Sequence, residues 1–440
     1  MLFRSVVVAA VPALVVELRL SRRRADVMWK IGPVERREFF YGQLLSTVNA
    51  AKEIRLLGIG SFLRSRMIDE LRTSTAAKRR LERRELSAQA GLSLLSAAIS
   101  GGGLIWVLVS AGQGRLSVGD VSMFAAAAAG VQSAVAGLVS TAAGAHQQLL
   151  MFGHYVDVVE ADPDLPAASP AGVLPVLRRG IELRDVWFRY SPDQPWVLRG
   201  LNLFIPYGEA VALVGRNGCG KSTLVKLLCR FYDPTRGAIL WDGVDVRDVE
   251  VERLRERIGA VFQDFMAYDF SAADNIAVGD LAAAGDQERI ETAAGHAGVH
   301  EMVQALPHGY DTLLTRMFHQ DPDDPGGGVT LSGGQWQRLA LARAFLREDR
   351  DLMILDEPSA GLDAEAEYDL HTRLRQIRAG RTGVLISHRL GAVRAADLIA
   401  VLVDGVIEER GSHADLLAAG GTYAQLFTLQ AEGYAMARSG

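Results

Sequence analysis

The 440-residue chain is 49% hydrophobic with a mean hydropathy of +0.11, which is too apolar for an ordinary soluble enzyme and too polar for a chain lying wholly in a membrane. Two unlike halves are therefore expected. The net charge of −5 provides no basic surface for a nucleic acid, and two cysteines exclude a disulfide framework.

The first apolar stretch is short. Between Arg4 and Glu17 about twelve residues are uncharged, with Pro12 among them, which is too few to cross a bilayer unaided. A signal peptide also has a charged start and an apolar core. No small-residue cleavage site follows here, however, and the three arginines at 22–24 would stop translocation.

Two long charge-free stretches come next. Leu86–Gly114 and Val121–Val156 contain no Asp, Glu, Lys or Arg over roughly 29 and 36 residues, each long enough to cross the hydrocarbon core as a helix. Gly112–Arg115 is expected to join them as a turn. Because Arg19–Arg84 is dense in Arg and Lys, the positive-inside rule places it in the cytoplasm and the turn outside. The predicted spans are about 87–111 and 121–145.

A glycine-rich loop, GRNGCGKST, stands between a predicted buried strand at Ala210–Val214 and a predicted helix at Thr223–Cys229. Its glycines let the backbone aim N–H groups at phosphate oxygens. Lys221 adds a positive charge and Ser222 a hydroxyl suited to Mg²⁺. The predicted phosphate site consists of Gly215, Asn217, Gly218, Cys219, Gly220, Lys221, Ser222 and Thr223.

Two further predicted strands end in polar residues. Leu352–Leu355 precedes Asp356 and Glu357. Val384–Ser387 precedes His388. Because open α/β folds bind ligands at the carboxyl edge of parallel strands, these side chains are expected to meet there. One carboxylate can hold the Mg²⁺ shell and the next can orient or deprotonate an attacking water, while the histidine offers a hydrogen-bonding group at the same edge.

The order of these motifs, together with LSGGQWQR at Leu331–Arg338, resembles the ATP-binding cassette (ABC) family from Arg178 to the C-terminal region. In that family, ATP is held between the phosphate loop of one domain and the LSGGQ signature of another. The resemblance implies ATP and Mg²⁺ as cofactors. It implies that four signature residues contact the γ-phosphate bound by Lys221 of a second chain: Ser332, Gly333, Gly334 and Gln335.

Further site residues follow from the resemblance alone. Tyr190 matches the aromatic residue that stacks on adenine, and Gln263 matches the glutamine that senses Mg²⁺. Ala360–Asp363 matches the loop that crosses between the two ATP sites. The implied catalytic residues are Glu357, His388 and Lys221, and the implied metal contacts are Ser222, Gln263 and Asp356.

Several positions depart from the family pattern. The crossing loop has Ala360 and Gly361 where Ser and Ala are usual, and the lost hydroxyl could alter coupling between the sites. Trp336 replaces a polar or basic residue, and packing at the start of the signature helix is the favoured interpretation. Thr315–Thr330, rich in Asp and Pro, replaces a short connection and is expected to be an exposed acidic loop.

The N-terminal part resembles a piece of an ABC exporter membrane domain. Ala13–Gly58 resembles the cytoplasmic end of the fourth membrane helix, and Phe39–Gly60 the turn that carries the coupling helix. The two long spans would be the fifth and sixth. Half of the usual membrane domain is then expected to be missing. A start site placed too far downstream, a gene fragment and a short form that pairs with separately encoded spans are the alternatives.

The predicted fold class is multidomain: a partial α-helical membrane domain followed by an α/β P-loop NTPase cassette with a helical subdomain. The partial membrane domain is placed at 1–160, with an incomplete span at 5–20 and a cytoplasmic extension carrying the coupling helix at 21–85. A Pro- and Ala-rich linker is placed at 161–177 and the nucleotide-binding domain at 178–440.

The expected function is that of an ATP-binding and permease subunit of an ABC exporter. It would be a multi-pass protein of the cytoplasmic membrane, with the cassette in the cytoplasm and a second half-transporter chain as partner, in a homodimer or a heterodimer. Two alternatives are a truncated ABC ATPase that transports nothing and a soluble or peripheral ABC ATPase. The spans contain no charged residue that identifies a cargo, and nucleic acid is not expected as a partner.

The cysteines suit neither a metal site nor a disulfide, as is natural for a reducing cytoplasm. Cys219 lies in the phosphate loop, so thiol alkylation is expected to inhibit hydrolysis and ATP to protect. An equally weighted alternative is that Cys219 is only a small filler.

Overall fold

The structure is a computed structural model that describes residues 2–165, 172–317, 328–347, 349–362, 367–370, 372–374 and 380–438. The chain divides into two compact units, Met1–Asp162 and Pro163–Gly440. The first is helical and the second contains two β-sheets with helices. This confirms the predicted fold class, a helical part followed by an α/β cassette.

The first unit consists of four helices: α1 (Leu2–Ser46), α2 (Val48–Leu57), α3 (Gly60–Gly112) and α4 (Val118–Val159). Helices α1 and α3 are joined by three ion pairs, Arg24–Glu85, Arg37–Glu70 and Lys78–Glu35, with N···O distances of 2.5, 2.7 and 2.8 Å. Ion pairs that are partly exposed to water each contribute little to stability. These three pairs therefore show that α1 and α3 lie side by side, but they add little to the stability of that packing.

Helix α2 lies inside Phe39–Gly60, the segment predicted to carry the coupling helix. It ends at Gly58, whose φ of 65° is the left-handed conformation that terminates a helix and that glycine adopts without strain. The chain then turns directly into α3. A coupling role for α2 stays a prediction.

One helix among the described residues, α3, is long and apolar enough to cross a membrane. It contains the predicted span at 87–111, and α4 contains the predicted span at 121–145. The predicted turn at Gly112–Arg115 falls between them. Helix α4 starts with a capping box in which the Ser117 hydroxyl accepts from the Asp120 N–H at 3.2 Å and the Asp120 carboxylate accepts from the Ser117 N–H at 2.7 Å.

The described residues of the second unit form ten strands: β1 (Gly180–Phe188), β2 (Leu198–Pro206), β3 (Ala210–Val214), β4 (Arg236–Trp241), β5 (Val244–Asp245), β6 (Ile258–Val261), β7 (Leu352–Asp356), β8 (Thr382–Ile386), β9 (Leu398–Val403) and β10 (Val406–Gly411). They form a four-stranded antiparallel sheet in the order β2-β1-β4-β5 and a six-stranded sheet in the order β10-β9-β3-β8-β7-β6.

The six-stranded sheet is parallel apart from β10. Strands β9 and β10 form an antiparallel hairpin that turns at Asp404-Gly405. Every residue of β3, β7 and β8 is buried, as expected for parallel strands covered on both faces. The carboxyl ends of these three adjacent strands therefore lie side by side at one edge.

Among its described residues, the second unit includes the helices α5 (Lys221–Leu228), α6 (Val251–Glu256), α7 (Ala272–Ala277), α8 (Gln287–His296), α9 (His300–Gln304), α10 (Gly333–Phe345), α11 (Leu390–Val393), α12 (His413–Ala419) and α13 (Thr422–Arg438). Buried residues of α5 pack with both sheets in one hydrophobic core, which includes the fully enclosed Trp241. Helices α7 to α10 share a second core around Leu339 and Phe345 and form a helical part of the cassette.

The predicted linker at 161–177 includes residues that pack on the second unit. The Gly172 N–H donates to the Asp248 carbonyl at 2.7 Å, and the Trp241 indole N–H donates to the Pro175 carbonyl at 3.1 Å. Leu177 is fully buried in the core of the sheets. The Pro and Ala content alone did not indicate this packing, and residues 166–171 lie outside the described part.

Candidate functional site: a nucleotide cleft

The phosphate loop lies between β3 and α5, as the sequence predicts. A Cβ at Gly215 would lie 2.2 Å from the Leu402 carbonyl oxygen of β9, so no larger residue fits there. The Lys221 ammonium group is buried and donates to the carbonyls of Gly215 at 2.7 Å and Arg216 at 3.1 Å. These bonds hold the lysine inside the loop, where an incoming phosphate would compete for it.

The loop opens onto a cleft with a volume of about 430 Å³ at the edge where β3, β7 and β8 end. Six of its lining residues belong to the phosphate loop or to the helix that follows it: Asn217, Gly218, Gly220, Lys221, Ser222 and Thr223. The others are Val197, Gln263, Asp356, Glu357, Ile386 and His388. Most of the predicted site residues are therefore together. Val197 and Ile386 were not predicted to line the site. For Ile386 the sequence contains one signal, its position near the end of a predicted strand, and for Val197 it contains none.

Asp356 ends β7, next to Ile386 at the end of β8. Burial and the neighbouring Glu357 carboxylate raise the pKa of Asp356 to about 6, although Lys221 and a hydrogen bond from the Ser222 hydroxyl act in the opposite direction. A buried carboxylate with a raised pKa lacks sufficient positive charge around it. The cleft is therefore suited to receive a cation at this point.

The donor set at this point fits Mg²⁺. The Ser222 hydroxyl, the Asp356 carboxylate and the Gln263 side-chain amide all line the cleft. Oxygen ligands of this kind, completed by water and phosphate, are what Mg²⁺ prefers. No cluster of three or more His, Cys, Asp or Glu that could hold a metal occurs in the described ranges, so an all-protein metal cage is not indicated there. The metal roles of Ser222, Gln263 and Asp356 stay predictions.

Glu357 follows β7 with a φ of 53°, a left-handed conformation that is uncommon for a residue other than glycine. Its carboxylate oxygen Oε1 accepts a hydrogen bond from the His388 backbone N–H at 3.0 Å and lies 3.4 Å from His388 Nε2. Burial raises the pKa of Glu357 and lowers that of His388, in the latter case together with Lys221. A carboxyl group with a raised pKa beside a neutral imidazole is an arrangement suited to proton transfer.

Tyr190, predicted to stack on adenine, lies close to the phosphate-loop helix. Its hydroxyl is 3.0 Å from Thr223 Oγ1, and the Lys226 ammonium group lies 5.5 Å from its ring centroid. The ring packs edge-on against Phe188 and Tyr232, at centroid distances of 4.9 and 5.3 Å, and is partly exposed. Tyr190 is not among the residues lining the cleft, but its ring lies beside Thr223, which does line it. Contact of the ring with adenine stays a prediction.

The signature residues do not line this cleft. Ser332 is exposed and caps α10 in a capping box with Gln335, with N···O distances of 3.3 and 2.8 Å, and Gly333 begins the helix. A capped helix start of this kind presents N–H groups to an anion. Trp336 packs against the second core, which supports the packing interpretation of this residue. Their contact with a nucleotide bound by a second chain stays a prediction.

The crossing loop is partly described. The Ala360 N–H donates to the Glu357 carbonyl at 3.1 Å, and Gly361 has a φ of 78°. Asp363 lies outside the described residues. In the predicted acidic loop, residues 318–327 also lie outside them, and Val329 donates its N–H to the Leu313 carbonyl at 2.9 Å.

The comparisons with known proteins agree with this geometry. A family profile described as "ABC transporter" matches residues 198–360. The ATP-dependent lipid A-core flippase of Chromohalobacter salexigens is 38% identical over 338 residues, which is 76% of this chain and 56% of that protein. The cyclolysin secretion/processing ATP-binding protein CyaB of Bordetella pertussis is 36% identical over 431 residues, or 97% of this chain and 58% of that protein.

A solved structure described as a bacterial Atm1-family ABC exporter with ATP bound is also similar. Its TM-score is 0.86 at 28% sequence identity, over 98% of this chain and 73% of that one. Residues 198–360 are an ABC transporter domain, the family whose profile they match. The fold of the chain is of the exporter type, with a helical part before the cassette. The chain spans just over half the length of the first two curated relatives.

Within this ABC cassette, the Cys219 thiol is buried. It belongs to the core beneath the phosphate loop, and its sulfur lies 3.8 Å from Lys221 Nζ. The side chain is not among the residues lining the cleft. The backbone of Cys219 still belongs to the loop, but the position of the thiol supports the filler interpretation. The expected inhibition by alkylation would need the loop to open first.

The raised pKa of Asp356 generates a prediction about stability. Between its usual value of 3.8 and about 6, this carboxyl binds more protons in the folded state than in the unfolded state. Its ionisation therefore removes stability as the pH rises across that window, and the loss persists above it. At neutral pH, Asp356→Asn should increase the free energy of unfolding of the protein free of nucleotide and Mg²⁺ by roughly 3 kcal/mol at most, and so raise its melting temperature.

Melting curves recorded in detergent with a chelator, from about pH 4 to about pH 8, measure this effect. The advantage of Asp356→Asn should grow up to about pH 6 and then stay constant. Asp269→Asn, at an exposed position outside the cleft, is the control. Equal melting temperatures for Asp356→Asn and the parent chain at neutral pH would contradict the assigned electrostatics.

Proposed function

We propose that this chain is the ATP-hydrolysing subunit of an ABC exporter, and that two cassettes close on two ATP molecules to drive export across the cytoplasmic membrane. The observation that supports it best is the meeting of Lys221, Asp356, Glu357 and His388 in one cleft. The exposed signature at Ser332, away from that cleft, supports the use of a second chain.

Each residue of the cleft has a role in this proposal. The loop N–H groups and Lys221 hold the phosphates, and the lysine exchanges its bonds to the loop carbonyls for bonds to phosphate. Bound Mg²⁺, held by Ser222, Gln263 and Asp356, would supply positive charge against the phosphate oxygens. The Glu357 carboxylate accepts the proton of the attacking water, and the His388 backbone N–H orients that carboxylate.

The signature completes the site in the second chain. The N-terminus of α10, capped by Ser332, presents N–H groups to the γ-phosphate bound by the partner's phosphate loop. Closure on ATP would move the coupling helix α2 and reorient the membrane helices, and hydrolysis would reset them. The curated relatives are named for lipid A-core and for cyclolysin, which are different cargoes, so the proposal assigns export without a cargo.

The role of Glu357 is tested by Glu357→Gln. An amide cannot accept the proton of water, so the steady-state rate of ATP hydrolysis should fall about 100-fold or more. ATP should stay bound, because the binding groups are unchanged, and should remain with the protein through desalting. Glu301→Gln, at an exposed position on α9, should keep the parent rate. Undiminished hydrolysis by Glu357→Gln would remove Glu357 from the mechanism.

The two-chain site is tested by complementation. Lys221→Ala and Ser332→Arg should each inactivate a dimer of identical chains, because every site then contains one defect. When the two variants are co-expressed, a mixed dimer places both defects in one site and leaves the other intact. ATP hydrolysis should therefore reappear in tandem-purified mixed dimers. Mixed dimers as inactive as either parent would argue against sharing of the site between chains.

The membrane orientation is tested by thiol labelling. Gln113→Cys lies in the exposed turn between α3 and α4, and Asp404→Cys in the exposed hairpin turn of the cassette. The two native cysteines are buried, so the parent chain serves as the blank. A membrane-impermeant maleimide should label Gln113→Cys in intact cells and Asp404→Cys only after permeabilisation. The reverse pattern would overturn the orientation.

A further inference from the structure

Gln337 is a buried amide on the signature helix that bonds to the backbone of the proposed catalytic base. It lies five residues after Ser332 on α10 and is only 2% exposed. Its Nε2 donates to the carbonyls of Glu357 at 3.3 Å and Pro358 at 3.2 Å. Buried amides need such partners, so this contact has a structural reason to persist.

The backbone that receives these bonds is held in an unusual conformation. Glu357 has a φ of 53°, which turns the chain at the end of β7 and directs its carboxylate to the His388 N–H. Two bonds from nearby backbone support this turn: the Glu357 N–H donates to the Ile386 carbonyl at 2.9 Å, and the Ala360 N–H donates to the Glu357 carbonyl at 3.1 Å. Gln337 adds support from a separate element, the signature helix. Because strained backbone persists only when several contacts determine it, loss of one contact should disturb the position of the carboxylate.

Gln337 and Ser332 belong to one rigid element. Five residues of α-helix span about 7.5 Å, so the amide is just over one turn from the helix start that would meet the partner's nucleotide. Further along α10, the Arg343 guanidinium donates to the Asn275 carbonyl at 2.9 Å, and Leu339 is fully buried. A shift of the signature end of α10 would therefore be transmitted to the carbonyls of Glu357 and Pro358.

We propose that Gln337 is a positioning residue that sets the backbone of Glu357, and that it links the signature motif of a chain to the hydrolytic base of the same chain. The signature meets the ATP bound by the partner, whereas Glu357 acts on the ATP bound by its own phosphate loop. Gln337 thus connects the two ATP sites of a dimer within one chain. This inference rests on the proposed function, since it needs both sites.

The test replaces Gln337 by Met, which has a similar length but no hydrogen-bond donor. Hydrolysis by Gln337→Met should show kcat lowered about tenfold or more with KM for ATP changed less than about twofold, because the base is misplaced while the binding groups are not. Gln304→Met, at an exposed position on α9, is the matched control and should keep the parent kcat and KM. Gln337→Asn keeps the amide on a shorter side chain and should recover part of the lost kcat.

A second measurement separates this role from damage to the signature helix. ATP retained through desalting is compared between Glu357→Gln and the double variant Glu357→Gln with Gln337→Met. Because the base is already absent, the double variant should retain as much ATP as Glu357→Gln alone. Loss of retained ATP in the double variant would show that Gln337 acts through the signature helix, and an unchanged kcat in Gln337→Met would equally overturn the proposal.

The parent chain and Glu357→Gln provide the check on the proposed function itself. If the parent hydrolyses ATP and Glu357→Gln does not, the function stands and only the outcome of the Gln337 variants decides this inference. If Gln337→Met does not fold, judged by its melting curve, the same two measurements are made on Gln337→Asn. Its shorter amide should still lower kcat without lowering ATP retention in the Glu357→Gln background, and a parent-like kcat would overturn the proposal.

Discussion

The parallel pairing of β3, β8 and β7 is the constraint on which the nucleotide cleft depends. Adjacent parallel strands end at the same edge of a sheet, so the residues that follow them meet although they are far apart in the chain. Gly215 follows β3, Glu357 follows β7, and His388 lies just beyond β8. The burial of all three strands on both faces fixes this edge, and the chemistry of the site follows from it.

The electrostatics of the cleft without ligand indicate what it is built to receive. Burial raises the pKa of both Asp356 and Glu357, so the pair holds more negative charge than its surroundings compensate. Lys221, a cation that acts on both carboxylates, is bonded to carbonyls of its own loop. A nucleotide phosphate would draw the lysine out and a cation would compensate Asp356. Ligand binding would thus compensate the charge of the Asp356 and Glu357 carboxylates.

Helix α10 connects parts of the cassette that the motif order describes separately. Its first residues form the capped signature, and Gln337 donates to the backbone after β7. Arg343 donates to the carbonyl of Asn275 at 2.9 Å and to that of Met266 at 3.1 Å, the latter only three residues beyond Gln263. The buried side chains of α10 anchor it in the second core. A movement at the signature would therefore affect both the base and the segment that follows the predicted Mg²⁺-sensing glutamine.

The sequence by itself determined the class of the protein and most of the cleft, because the phosphate loop, Asp356, Glu357 and His388 sit in short local patterns whose spacing and strand context are visible in the chain. It also determined the order of a helical part and an α/β part. Long stretches without charged residues predict membrane-spanning helices, whereas short apolar strands that end in polar residues predict an α/β domain. Only the tertiary structure decided the burial of the Cys219 thiol, the packing of Gly172 to Leu177 on the sheets and the bond from Gln337 to Glu357. Those features depend on contacts between elements distant in the chain and on a single left-handed φ angle, and neither leaves a periodic or compositional pattern in the sequence.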